Sequence, residues 1–160
     1  MSNRKLLFSF IAIMAIIIAA CSTDTDKWKE LNEQYLRVNA SKPGVITTKD
    51  GLQYKVLVQG VGLKPNVVSR VALYYTGRLI DGTVFDSTLD STYINQPLDS
   101  LSYFSVSGFV SGFTEALLKM NTGSKFELYI PQSLGYGSTD MGTIPPYSTL
   151  IFDVQLINVQ

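Results

Sequence analysis

Leu150, Phe152, Val154 and Leu156 alternate with Ile151, Asp153, Gln155 and Ile157 shortly after Pro145-Pro146. Successive side chains of an extended strand point to opposite faces, so this period of two predicts a half-buried antiparallel strand whose apolar face needs a cover. The same period recurs in Phe126, Leu128 and Ile130, and in Val71, Leu73 and Tyr75. Asp81-Gly82 then gives a strong hairpin signal, and residues 83–86 start the return strand. Residues 52–60 read as a further strand, closed by the turn cluster around Gly60, Gly62 and Pro65. Residues 87–102 are polar and turn-rich, which predicts a long loop, or a bulged strand interrupted by one, before an extended pattern resumes at Tyr103 and Phe104.

One segment has the other period. Phe113, Ala116, Leu117 and Met120 recur at spacings of three and four, with Ser111 placed to cap the helix and Asn121 and Gly123 placed to stop it. A sheet with one apolar face and a single amphipathic helix to cover it predicts an α+β layer architecture. At 160 residues and 46% apolar content the chain supports one packed core, expected over residues 48–160.

Several chemistries are excluded by what is missing. There is no histidine and only one cysteine, which removes Ser-His-Asp and Cys-His nucleophile pairs and any Cys/His zinc site. Thirteen basic residues balance thirteen acidic ones without clustering, so nucleic acid is not an expected partner. Asp86, Ser87, Thr88 and Asp90 hint at calcium ligation, but the glycine and terminal glutamate of an EF-hand loop are absent, and a solvated polar loop is the better reading. No cofactor or metal is expected.

The first residues read as an address. Arg4 and Lys5 precede an uninterrupted apolar run over residues 6–20, shorter than a bilayer span. The run ends at Ile18-Ala19-Ala20-Cys21, which resembles a bacterial lipobox with an atypical Ile18. That resemblance implies a signal peptide over residues 1–20 and acylation of Cys21 on sulfur and on its new amino terminus, supplying the several chains that stable anchoring requires. Ser22 does not look like an inner-membrane retention signal, so an outer-membrane location is expected. Cleavage would also remove two of the basic residues and leave the mature chain mildly acidic. Residues 21–47 then read as a lipid anchor and polar helical linker. Trp28, Leu31, Tyr35 and Val38 form one short stripe, Asp24 and Asp26 suit the helix start, and Pro43-Gly44 ends it. A tether is favoured over a dimerisation or partner helix, and the oligomeric state is left open.

The pieces "YYTGRLIDGTVFDST", "FVSGFTEALLKM", "GSKFELYIPQSLGYGS" and "GTIPPYSTLIFDVQLINV" occur in this order. Each fragment alone is weak, but together they resemble the FKBP-type peptidyl-prolyl cis-trans isomerases over residues 48–160. The resemblance implies an antiparallel sheet wrapped around one short helix, with the ligand pocket between them. It assigns the pocket to Tyr75, Asp86 and Tyr136 as catalytic residues and to Phe85, Phe104, Phe109, Val110, Phe113, Ile144 and Phe152 as substrate-binding residues. In the family, the Tyr136 hydroxyl and the Val110 N–H lie beside the carbonyls flanking the bound proline, and Phe113 forms the floor. Implied partners are proline-containing polypeptides, the membrane through Cys21, and macrolide inhibitors. The second reading is a prolyl-binding module or chaperone without useful turnover.

That residue choice suits the reaction. Rotation about an amide must break resonance, with a barrier of ~18–20 kcal/mol, and X-Pro bonds interconvert in tens to hundreds of seconds. The planar amide is the more charge-separated, better hydrated form. A dry aromatic pocket therefore favours the twisted transition state without any titrating group. Three departures from the family pattern bear on efficiency: Phe113 stands where tryptophan is common, Ser102 falls where an aromatic wall residue often stands, and Thr143 replaces an aliphatic before Ile144. They imply a pocket that is wider and more polar at two edges, with modest activity and weaker macrolide binding.

Overall fold

The computed structural model describes residues 23–88 and 102–160. The apolar run, Cys21 and most of the loop between Phe85 and Phe104 lie outside the described residues. Among the described residues seven strands form one sheet: β1 (Val45–Thr47), β2 (Gln53–Val58), β3 (Arg70–Arg78), β4 (Val84–Ser87), β5 (Phe104–Ser105), β6 (Lys125–Ile130) and β7 (Leu150–Val159). Their order is β1-β2-β6-β7-β3-β4, with β5 also paired to β3, and every pairing is antiparallel. The last strand in sequence is thus central, flanked by β6 and β3. Among the described residues two helices accompany the sheet, α1 (Asp24–Asn39) and α2 (Ser111–Leu117).

The alternation predicted for the strands holds on the α2 side. Phe126, Leu128, Ile130, Leu150, Val154 and Leu156 are all buried there, with Phe113, Ala116 and Leu117 of α2 in the same core. Each such side chain contributes ~1.5–3 kcal/mol on burial, so this layer is the main source of stability. A register shift between Ala72 and Leu73 in the β3–β7 pairing accompanies burial of both Val71 and Ala72.

Several expectations need correction. Within the linker expected over residues 21–47, the described helix α1 is docked on the domain instead of standing free as a tether. The helix begins with a capping box, in which the Thr23 side chain accepts the Asp26 N–H and Asp26 accepts the Thr23 N–H. Its buried face is rotated from the apolar stripe: Leu31 and Val38 are 52% and 58% exposed, while Asn32 and Asn39 are buried beside the half-buried Trp28, Tyr35 and Leu36. The physical reason is what this face meets. Asn39 Nδ2 donates to Gln53 Oε1 at 2.9 Å, Gln53 Nε2 donates to the Leu36 carbonyl at 2.9 Å, and Asn32 Oδ1 accepts the Thr149 N–H at 2.7 Å. The amide groups named pair with these buried partners as apolar side chains could not, while Asn39 Oδ1 is buried without a hydrogen bond among the described residues.

Docking also covers the second face of the sheet, where strands expected to be half-buried carry the buried Tyr129 and Ile151. Tyr35 lies 6.3 Å from Tyr129, ring centroid to ring centroid. At α2, Ser111 is the first helical residue instead of the cap. Val110 holds the N-cap position, and Ser111 Oγ donates to the Leu134 carbonyl at 3.2 Å. The helix ends at Leu117, short of Met120, where tight turns take over, yet Met120 remains buried. The sheet starts at Val45, just ahead of the boundary expected at 48.

Asp153 faces away from the core, as its place in the alternation predicts. With Glu127, its direct cross-strand partner, it binds Arg78, whose guanidinium donates to Glu127 Oε1 at 2.9 Å and to Asp153 Oδ2. Burial pulls the Arg78 pKa down, but the Asp153 hydrogen bond and the two negative charges outweigh it and raise it.

Candidate functional site

Three strands and α2 bring one set of aromatic rings together. Tyr75 comes from β3, Phe85 from β4, Phe152 from β7 and Phe113 from α2. Phe152 meets Phe113 edge to face at 5.0 Å, Phe85 at 5.5 Å and Tyr75 at 5.9 Å, and Tyr75 meets Phe113 at 6.1 Å. Such edge contacts add ~0.5–1.5 kcal/mol beyond burial and fix ring orientation. Phe109 stacks on Phe113 at 4.5 Å with planes 18° apart, and Phe104 lies 5.9 Å from Phe109. Phe113 is only 1% exposed, so the expected floor lies beneath Phe109, and Phe109 is the ring nearer to solvent.

Gly77 explains how the rings fit. It pairs with Asp86 on β4 and with Phe152 on β7, and a Cβ there would lie 2.6 Å from Phe85 and 2.7 Å from Phe152. Any side chain would part the two rings. Gly77 lies within the motif "YYTGRLIDGTVFDST", but spacing alone carries no signal for this role.

The polar edge belongs to Tyr75 and Asp86. The Tyr75 hydroxyl donates to Asp86 Oδ2 at 2.6 Å, a charge-assisted bond. Burial, then the Asp86 hydrogen bond and charge, and finally the nearness of Tyr136 push the Tyr75 pKa well above the usual tyrosine range, so this hydroxyl stays protonated. Its backbone is pinned as well: the Tyr75 N–H donates to Thr88 Oγ1 at 2.8 Å, and the Thr88 N–H returns to the Tyr75 carbonyl at 2.9 Å.

The remaining expected residues sit on loops. Val110 is the last extended residue before α2, and its carbonyl accepts the N–H groups of Phe113 and Thr114. Tyr136, 38% exposed, follows the turn Gln132–Leu134. Ile144 is 6% exposed and belongs to the same core cluster as Phe113 and Phe152. After the two prolines, Tyr147 has φ 63°, and its N–H donates to the Gly137 carbonyl at 2.7 Å, tying this loop to the one that carries Tyr136. Cys21 lies outside the described residues. Among those that are described, no group of three or more His, Cys, Asp or Glu residues lies together as a metal site would require.

The arrangement offers a dry aromatic wall and a paired hydroxyl–carboxylate at its edge. It suits a ligand with an apolar ring flanked by carbonyls.

The chain is similar to known proteins in sequence and in fold. Residues 62–157 match the family described as FKBP-type peptidyl-prolyl cis-trans isomerase, and residues 11–56 match the domain amino terminal to it. Over 127 residues the chain is 47% identical to the FKBP-type 22 kDa peptidyl-prolyl cis-trans isomerase of Escherichia coli K12, covering 79% of this chain and 58% of that protein. It is 40% identical to the outer membrane protein MIP of Legionella longbeachae, covering 92% of this chain and 61% of the relative. The chain therefore spans little more than half the length of these curated relatives. Among solved structures, a peptidyl-prolyl cis-trans isomerase from Pseudomonas syringae superposes with a TM-score of 0.74 at 31% identity, covering 88% of this chain and 99% of that one. FkpA from Escherichia coli gives 0.73 at 32% identity, covering 100% and 74%.

Proposed function

The chain belongs to the FKBP-type peptidyl-prolyl cis-trans isomerases, and on that premise we propose that it accelerates X-Pro isomerisation in exported or envelope proteins. The observation that carries this is the joining of the Tyr75–Asp86 pair to the Phe152–Phe113 edge contacts in one packed unit. The prolyl ring enters against these aromatics and the amide loses hydration. Since the planar ground state is the better solvated form, this raises it relative to the twisted transition state. The Tyr136 hydroxyl and the Val110 N–H orient the flanking carbonyls. Asp86 holds the Tyr75 hydroxyl in place, and no step needs a group that changes protonation.

Cis-to-trans relaxation of a short X-Pro peptide tests this reading with wild type, Tyr136→Phe and Asp86→Leu. Wild type should accelerate relaxation at micromolar concentration. Each variant should lose about tenfold in kcat/KM, the order expected for one hydrogen bond to a charged or oriented group. No acceleration by wild type sinks the enzyme. The second reading, a prolyl-binding module, is not favoured by the likeness to proteins named as isomerases. It requires peptide binding without turnover.

The location is part of the same proposal: a signal peptide over residues 1–20, acylation at Cys21, and a domain held at the outer membrane. The likeness to an outer membrane protein supports it. Cys21→Ser should abolish membrane fractionation and metabolic lipid labelling; labelling that persists refutes the anchor.

A further inference from the structure

Residues 145–149 lead from the Pro-Pro turn beside Ile144 into β7, and α1 grips them at three points. The Trp28 indole N–H donates to Ser148 Oγ at 2.9 Å, and Ser148 Oγ donates onward to the Pro145 carbonyl at 2.7 Å. Asn32 uses both ends of its buried amide. Nδ2 donates to the Trp28 carbonyl at 2.8 Å, and Oδ1 accepts the Thr149 N–H at 2.7 Å. Lys29 Nζ lies 5.0 Å from the centre of the Tyr147 ring.

Within this grip Tyr147 holds its left-handed backbone, φ 63°. That conformation is unfavourable for a residue with a side chain and persists only where its surroundings over-determine it. The contacts from α1 supply that constraint on one side. On the other, the Tyr147 N–H donates to the Gly137 carbonyl, next to Tyr136. Helix α1, residues 145–149 and the Tyr136 loop therefore form one chain of contacts. Ser148 and Thr149 are 4% and 1% exposed, so their polar groups depend on these partners.

We propose that α1 belongs to the frame of the prolyl pocket, with Trp28 and Asn32 as positioning residues that hold residues 144–149, and through Tyr147 the Tyr136 loop, in the geometry that binds substrate. The inference rests on the prolyl-pocket reading. It adds that a helix outside the catalytic family match sets how well the pocket binds. Neither residue need touch the substrate.

The test uses the full chain and two variants. Trp28→Phe keeps an aromatic ring and removes the indole N–H, and Ser148→Ala removes the hydroxyl that relays to Pro145. Each should speed amide exchange at Tyr147 and Thr149 by about tenfold relative to Leu128 in β6, and raise KM for an X-Pro peptide about 3–10-fold with kcat little changed. The double variant should be no worse than Ser148→Ala alone, because that change already removes both hydrogen bonds of the relay. General destabilisation would instead speed Leu128 equally and leave KM alone. Wild-type KM in both variants, or exchange that accelerates uniformly, overturns the proposal. If wild type itself proves inactive, the function reading falls and local exchange at Tyr147 and Thr149 decides the positioning alone.

Discussion

Gly77→Ala sets two opposing effects against each other at the centre of the site. Gly77 has no positive φ, so alanine fits its backbone and should stabilise the chain by about 0.4–1 kcal/mol through the unfolded state. The added methyl, however, would stand 2.6 Å from Phe85 Cε2 and 2.7 Å from Phe152 Cε1. Carbon atoms pack best at ~3.5–4.0 Å, so one or both rings must move by about 1 Å. Phe152 is buried against Phe113 and Tyr75 and has little room to yield. Overpacking of this kind costs about 1–3 kcal/mol and outweighs the entropic gain. The net loss should be about 1–2 kcal/mol, or roughly 2–8 °C in Tm for a domain of this size.

Urea unfolding should show a lower midpoint with an unchanged slope. Because a shift of about 1 Å can cost on the order of 10²-fold, kcat/KM should fall by at least about tenfold at temperatures where the variant is folded. Gly82→Ala is the control. Its φ of 88° disfavours a side chain and no atom lies within 4 Å, so it should lose about 1–2 kcal/mol through backbone strain and retain activity. If Gly77→Ala is as stable as wild type and fully active, the rings yield freely and the packed wall is not a fixed frame.

Arg78→Ala should cost about 1 kcal/mol, since Asp153 is 49% exposed and solvent screens the pair, and kcat/KM should stay at the wild-type level. The loss comes from leaving Glu127 and Asp153 directly opposite each other, and Tm at low and high salt reads it. Burial first, then hydrogen bonds to Asp86 and Glu127 respectively, raise the pKa values of Tyr75 and Tyr129 above the unfolded value of about 10. Their contribution to stability is therefore complete below about pH 10 and lost as pH rises through the folded values. Tm should fall above that pH, and Tyr129→Phe should flatten the fall; an unchanged slope refutes the assignment. With no histidine in the chain, kcat/KM should stay constant within about twofold from pH 6 to 8.5, and an inflection near 6.5 would contradict a mechanism without proton transfer.

Periodicity and local chemistry carried much of this molecule. The strand alternation of residues 126–130 and 150–156, the Asp81-Gly82 hairpin and the amphipathic face of α2 are local signals, because burial on one face of a strand or helix imprints a period on the chain. The same locality made the outward turn of Asp153 legible, and the quoted motifs brought the aromatic residues onto one list. The packing of that list was decided only in three dimensions. That Phe113 lies under Phe109, and that Gly77 lets Phe85 and Phe152 meet, depends on strands and a helix far apart in sequence. The docking of α1 was hidden for a further reason: its buried face uses Asn32 and Asn39, and hydropathy assigns such residues to the surface. Their partners, the Thr149 N–H and the Gln53 side chain, exist beside the helix only once the sheet has formed. A buried amide is chosen by the polar groups it must satisfy, and those are set by tertiary structure.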